Sequence, residues 1–254
     1  MIALVDGDLI AYRCAASCKE GDPLEVAIQR ADLLMRDILA QTEAKEYKCF
    51  LSGSDNFRKH INPEYKANRK DQVSPEHLQD VREFLVTEWK AKLGYGVEAD
   101  DMLGMNQTED TIIASLDKDL RMIPGKHFSW AIGTATWSKD AEFREIDWFE
   151  GNKAFWRQML IGDKTDNIIG IHGIGPVKAA KAIDHLETDY ECLGYVLEQY
   201  QGDYKRFVMN ANCLWIMRNE ESTWAKDLHL VLPDELQHEQ DMMYESMKSF
   251  LENI

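Results

Sequence analysis

The sequence predicts an α/β fold: a mostly parallel central sheet flanked by helices, with a mainly helical C-terminal part. Two short apolar runs that each end in acids, IALVD at Ile2 to Asp6 and TIIASL before Asp117, read as buried parallel strands whose C-terminal edge carries chemistry. Helical periodicity supplies the covering layers, through Leu24 to Ala44, Pro75 to Lys92, and almost everything from about Trp148 onward.

Taken in order, Ile2 to Asp6, the helix Leu24 to Ala44 and a second strand Tyr47 to Leu51 make a βαβ start. Ser74 is a suitable cap for the helix Pro75 to Lys92, and Gly94-Tyr95-Gly96 breaks the chain before Val97. In Glu98-Ala99-Asp100-Asp101, a rotation of about 100° per helical residue would point Glu98 and Asp100 nearly opposite ways. Glu98 therefore precedes a helix that Asp100 and Asp101 open, at the end where acids are stabilised. Thr111 to Leu116 is the third strand, ending in Asp117-Lys118-Asp119, and alternation through Phe128, Trp130 and Ile132 predicts a hairpin over His127 to Trp137 at the sheet edge. The switch to helical patterning sets an α/β part over residues 1 to 150 and a helical part over 151 to 254.

The stretch LIGDKTDNIIGIHGIGPVKAAKAI, Leu160 to Ile183, joins two carboxylates to a surface suited to phosphates. On a helical turn, the i, i+3 spacing of Asp163 and Asp166 puts both side chains on one face, where they repel unless a cation lies between them. Gly170, Gly173 and Gly175 allow a tight turn and close approach of an anion to backbone N–H groups. Pro176 then suits the first position of a helix carrying Lys178 and Lys181. Gly170 and Gly175 give Gly-x4-Gly, but Pro176 stands where a nucleotide-binding P-loop needs Lys, and G-x-G-x-x-G fails as well.

Bulk properties narrow the class. The 254 residues suit one large domain or two packed ones. Asp6 and Asp8 interrupt the first apolar run, which argues against a secretory signal, and no run approaches the roughly 18 apolar residues of a membrane span. A cytoplasmic protein is expected, in the host cytoplasm if the gene belongs to a phage. Five cysteines without paired C-x-x-C spacing argue against a disulfide framework and a structural zinc site. A net charge of −16 opposes nonspecific adhesion to nucleic acid, yet Arg58, Lys59, Lys66, Arg69 and Lys70 stand against Glu64 alone in one short stretch.

Asp6, Glu98, Asp100, Asp101, Asp117, Asp119, Asp163 and Asp166 come from four segments, three of which begin or end an element at one edge of the sheet. Gathered in one cleft they would repel strongly without cations. Hard oxygen ligands without His or Cys favour two or more Mg²⁺ ions, with Mn²⁺ as a substitute, over zinc. Two ions roughly 4 Å apart activate a water and stabilise the leaving oxygen of a phosphodiester.

VDGDLIAYR, FRKHINPEYKANRK, EADD, SLDKDL, GDKTDNI and GIHGIGPVKAAKAI stand in an order that resembles the 5′-nuclease superfamily over about residues 1 to 185. That group includes flap endonucleases, the 5′-to-3′ exonuclease domain of bacterial DNA polymerase I and compact bacteriophage 5′-exonucleases, which the short length and DLRMIPGKH resemble most. The resemblance implies a 5′-nuclease or PIN-like fold and hydrolysis at a 5′ end, flap or gap of duplex DNA, leaving a 5′-phosphate. The RNA strand of a hybrid is a further candidate substrate, and other replication proteins are candidate partners.

By the same resemblance, Asp6, Glu98 and Asp100 match one metal site, Asp117, Asp119, Asp163 and Asp166 a second, and Asp101 lies between or bridges them. Lys66 and Arg58 are implied to steady the scissile phosphate. Tyr65, Lys66, Arg69 and Lys70 match the basic start of a helical arch or clamp over about residues 56 to 97, with Tyr65 stacking on an unpaired base. Gly173, Gly175, Lys178 and Lys181 match a duplex-gripping helix–three-turn–helix over about residues 160 to 185, which in relatives binds K⁺. One departure is Leu51, where relatives commonly carry Asp; Ser52 and Asp55 are the nearby substitutes.

Three other readings compete. A haloacid dehalogenase-type phosphatase would use the D-x-D of LVDGDLI and GDKTDN but leaves EADD, DKD and the glycine hairpin without a role. A noncatalytic binder of branched DNA gains nothing from repelling carboxylates. A related toxin-type ribonuclease shares the acid cleft but lacks the helical hairpin.

Overall fold

The computed structural model describes residues 1–70, 72–133 and 136–254. Six strands form the central sheet: β1 (Ile2–Asp6), β2 (Glu46–Leu51), β3 (Lys92–Leu93), β4 (Thr111–Ala114), β5 (Gly125–Ser129) and, further along the chain, β8 (Glu142–Ile146). Their order is β3-β2-β1-β4-β5-β8, parallel except for the antiparallel edge pair β5 and β8. Two short strands, β6 (Ile132–Gly133) and β7 (Ser138–Lys139), make a separate ladder between the last two. The expected edge hairpin is therefore built from β5 and β8, because the alternation through Trp130 and Ile132 outlasts β5. Residues 134 and 135 of that prediction lie outside the described residues.

Alternation along the strands sorts the two faces. Ala3, Val5, Cys49, Leu51, Ile112 and Ala114 pack against α1 (Gly7–Ala16), α2 (Leu24–Thr42) and a helix further along the chain that carries Val81 and Leu85. Leu4, Phe50 and Ile113 face the opposite layer, with Phe155, Trp156, Phe207 and Trp224 at its centre. Phe155 meets Trp215 edge-on at 4.9 Å, and Phe207 meets Trp224 at 5.6 Å. Burial on both faces explains why the strands read as continuous apolar runs.

Between β2 and β3 lie α3 (Phe57–Ile61) and α4 (Leu78–Thr87). The helix expected from Pro75 starts later, because the Pro75 carbonyl accepts from Leu78 N–H in a turn and His77, not Ser74, precedes the helix. Val81 and Leu85 of α4 are fully buried, so this helix belongs to the body of the fold. α5 (Ala99–Asn106) follows Glu98, as the angular argument requires.

The C-terminal half comprises α6 (Trp148–Ile161), a tight ladder of β9 (Gly162–Asp163) and β10 (Ile168–Ile169), then α7 (Pro176–Ile183), α8 (Asp189–Tyr200), α9 (Tyr204–Leu214), α10 (Trp224–Asp227) and α11 (Asp234–Glu252). Among the described residues no helix is long and apolar enough to cross a membrane, and all five cysteines are free thiols.

Candidate active site

Parallel strands deliver their C-terminal ends to one edge, and there Asp6 closes β1 while Asp117 and Asp119 follow β4. Asp6 caps α1 by accepting from Leu9 N–H at 3.0 Å, and Ser115 Oγ donates to its other oxygen at 2.6 Å. The same Ser115 Oγ accepts from Asp117 N–H at 2.9 Å, so one hydroxyl sets the spacing of two acids. Asp117 in turn accepts from Asp119 N–H at 2.8 Å. Glu98 and Asp100 arrive on the first turn of α5. Asp163 arrives at the end of β9 and Asp166 on the turn that leads to β10, and Asp163 accepts from the N–H groups of Thr165 and Asp166 at 2.7 and 3.2 Å.

Asp6, Glu98, Asp100, Asp117, Asp119, Asp163 and Asp166 all line one cavity of about 680 Å³. Burial pushes the Asp6 carboxyl up to about 7, against its hydrogen bonds from Ser115 and Leu9, with the charges of Asp8 and Asp117 adding to the rise. Burial, then the charges of Asp117 and Asp163, pushes Asp119 up to about 7 as well. Asp100 is likewise held well above the usual carboxylate range, by burial and by Asp6, Asp117 and Glu98. Glu98 goes the other way: burial would raise it, but Arg58 and Lys66, with hydrogen bonds from Lys66 and Tyr65, hold it below the usual range.

Lys66 Nζ lies 2.5 Å from Glu98 and 3.6 Å from Asp166, and Arg69 reaches Asp166 at 2.5 Å. These two cations offset part of the cluster's negative charge. Among the described residues no group of three or more His, Cys, Asp and Glu is drawn together as a finished metal cage. The donor chemistry nevertheless fits a hard cation: seven carboxylates around one cavity, four of them (Asp6, Asp100, Asp119 and Asp166) made harder to ionise by burial and by neighbouring acids.

Beyond β10 the chain turns through Gly170 to Gly175, and Gly173 sits at φ +76°, a conformation that favours glycine. Pro176 opens α7 at its first position. Lys178 folds back to donate to the Gly173 carbonyl at 2.8 Å, while Lys181 is exposed on the same helix. This glycine loop borders a second cavity of about 840 Å³, and Asp163 lines both cavities.

No protein-family model matches the chain. Its sequence is 28% identical over 236 residues to DNA polymerase I of Chloroflexus aurantiacus, covering 82% of this chain and 24% of that protein. It is 27% identical over 229 residues to a 5′-3′ exonuclease of Mycoplasma pneumoniae, covering 77% of each. The chain thus spans about a quarter of the polymerase and about three quarters of the exonuclease. Its fold matches that of the T5 D15 protein co-crystallised with metal ions, with a TM-score of 0.60 and 17% identity over 98% of each chain. The resemblance to the 5′-nuclease superfamily holds in sequence and in fold.

Against that 5′-nuclease pattern four expectations need correction. Arg58 is 2% exposed and cannot meet a phosphate from the cleft. It donates to both oxygens of Asp101 at 2.5 and 2.8 Å, to Cys213 O at 2.8 Å and to Trp215 O at 2.7 Å. Asp101 is 0% exposed, consumed by Arg58 and by the N–H groups of Glu98 and Met217, so it is not a metal ligand. Tyr65 is 4% exposed and cannot stack on a base; its hydroxyl instead joins Glu98 and Asp166 at 2.8 and 2.7 Å. Asp163 closes β9 and Asp166 lies in the turn that follows, so the two do not share a helical turn, because Gly162 ends α6 one residue before Asp163.

Leu51 is fully buried beneath the sheet, and Ser52 lines the cavity in the region of that lost acid while Asp55 does not. Lys70 is exposed and outside the cavity lining. Three residues of the site escaped the sequence reading: Tyr12 and Arg82 line the cavity, and Ser115 lies behind Asp6 and Asp117. Ser115 lies in the quoted SLDKDL, where a hydroxyl two residues before an acid was a usable signal. Tyr12 lies in VDGDLIAYR, one helical turn and a half past Asp6, and is 54% exposed. Arg82 pairs with Asp8 and donates to Ser52 O, and nothing in the α4 sequence distinguishes it from a solvated arginine.

Proposed function

We propose that the chain is a metal-dependent 5′ nuclease that hydrolyses DNA phosphodiesters at or near a 5′ end or flap, leaving a 5′-phosphate. The observation that carries this reading is that seven carboxylates line one cavity and that one of them, Asp163, also lines the cavity of the glycine loop. Residues 151 to 254 hold the duplex, through the Gly170 to Gly175 backbone and the exposed Lys181. A backbone gripped there runs on into the acid cavity.

Asp6, Glu98, Asp100, Asp117, Asp119, Asp163 and Asp166 would hold the Mg²⁺ ions, with Mn²⁺ able to replace them. Bound divalent ions supply an activated water and neutralise the leaving oxygen. The protein's part is positioning: Ser115 fixes Asp6 against Asp117, Tyr65 ties Glu98 to Asp166, and Lys66 brings a positive charge to the scissile phosphate. Tyr12, at the rim, takes the stacking role first assigned to Tyr65. The carbonyls of the glycine loop are the proposed seat of K⁺, and the RNA strand of a hybrid is a second substrate. Engagement of Asp8 by Arg82 and by Ser52 N–H at 2.8 Å argues against a phosphatase that needs Asp8 free.

Labelled flap, blunt duplex and single-stranded substrates, each marked at the 5′ or 3′ end, test the reading in Mg²⁺ and in EDTA. Asp117→Asn and Asp166→Asn should abolish cutting while duplex affinity is largely retained; undiminished cutting by either variant refutes the metal assignment.

A further inference from the structure

A groove of about 500 Å³ runs between α2 and the end of α4, over the first residues of β2. Tyr47 in its floor pairs with Ala3, whereas Phe50, three residues further along β2, pairs with Asp6. The groove thus lies about 10 Å of extended strand back from the acid edge, at the other end of the sheet. Among the described residues its lining has no member in common with the acid cavity or the glycine-loop cavity. A molecule seated here leaves the cleft open.

The floor is apolar and the rim is acidic. Trp89 meets Tyr47 edge-on at 5.3 Å, Phe84 and Ile28 complete the floor, and Glu25, Asp32 and Glu88 stand against Arg36 around it. Arg36 shows how this surface takes a cation: its Nε donates to Asp32 at 2.7 Å, and its guanidinium carbon lies 5.7 Å from the centre of the Trp89 ring. Asp32 also accepts from Trp89 Nε1 at 3.2 Å, so its charge is already used. Glu25 and Glu88 have no side-chain partner among the described residues. A second cation would therefore meet two open carboxylates beside two rings, Tyr47 and Phe84. Phosphate is repelled by the same pair of charges, which rules out nucleic acid as the occupant. A guanidinium suits both features, since it stacks on rings and pairs with carboxylates.

We propose that this groove docks a basic segment of a partner protein, an arginine flanked by apolar residues, with the guanidinium between Glu25 and Glu88 and its neighbours on Phe84 and Ile28. The volume falls within the roughly 300 to 1,000 Å³ of pockets that hold a compact ligand. Aromatic rings with arginine are also the residue types that carry most of the binding energy where proteins meet. The inference stands apart from the nuclease reading: it assigns a tether at the back of the sheet, by which the chain is held on another protein while its cleft stays free.

The test follows the Trp89 indole N–H resonance of the nitrogen-15-labelled full chain, assigned by its disappearance in Trp89→Phe. The probes are a ten-residue peptide with one arginine between pairs of leucines, the same peptide with glutamate in place of the arginine, and a single-stranded oligonucleotide in EDTA. The arginine peptide should move the resonance to saturation, and the other two should leave it in place. Glu25→Gln together with Glu88→Gln should weaken the arginine peptide about tenfold, the upper end of what two exposed ion pairs supply, without changing thermal stability or any cleavage rate. No saturable shift with the arginine peptide overturns the inference. So does an equal shift with the glutamate peptide or the oligonucleotide, and so does an unchanged affinity in the double variant.

Discussion

Replacing Arg58 with Met separates the two roles open to that arginine. In the folded chain the guanidinium makes two bonds to Asp101 and one each to the carbonyls of Cys213 and Trp215, all within 2.8 Å, and both partners of the ion pair are almost wholly buried. Its loss strands the Asp101 charge with only the N–H groups of Glu98 and Met217. Breaking a buried pair on one side costs about 3 to 5 kcal/mol. At roughly 2 to 4 °C per kcal/mol for a domain of this size, the melting temperature should fall by roughly 6 to 20 °C. Arg58→Met with Asp101→Leu should recover much of that loss, because the uncompensated charge goes too. Thermal unfolding of both variants, with single-turnover cleavage measured where each is fully folded, reads the effect. A melting temperature within about 2 °C of wild type, together with a hundredfold loss of cleavage, would return Arg58 to the phosphate and refute the buried-staple reading.

Three further outcomes follow from the site. Asp6 and Asp119, raised to about 7, hold protons in the folded state that the unfolded chain releases near pH 4, so their contribution to stability is lost as pH rises from about 4 to 7. Since Mg²⁺ competes with those protons, the melting-temperature gain it gives over EDTA should grow between pH 5 and 7.5; a gain independent of pH contradicts the assignment. Ser115→Ala should lower the maximal cleavage rate about tenfold and raise the Mg²⁺ concentration needed for half-maximal rate, with Ser115→Thr restoring both; an effect on stability alone leaves Ser115 with no positioning role. Lys66→Ala should lower turnover more than duplex affinity, and an equal loss of both would contradict its place at the scissile phosphate.

The strands, α5 and the glycine turn were legible because each rests on a local signal: apolar runs ending in acids, the angle between Glu98 and Asp100, and Gly175-Pro176. What escaped depends on which way a side chain faces. Asp100 and Asp101 are neighbours on one helix, about 100° apart, so one looks into the cleft and the other into the core. Their identical charges gave no hint of this difference. Arg58 and Tyr65 sit in a basic stretch that reads as surface, yet their partners Cys213, Trp215 and Asp166 lie about a hundred residues or more away. The i, i+3 spacing of Asp163 and Asp166 suits a helical turn and a strand end followed by a turn alike, and only Gly162 decides between them.

The aromatic layer that seats one face of the sheet has a consequence for synthesis. Leu4, Phe50 and Ile113 rest against side chains drawn from Phe155 as far on as Trp224, so a nascent chain that has emerged only through β8 carries five of its seven cavity acids on a half-naked sheet. Such an intermediate exposes apolar surface and has no settled pocket. On the proposed nuclease reading, hydrolytic competence should therefore arrive late, only after the helices beyond β8 have left the ribosome.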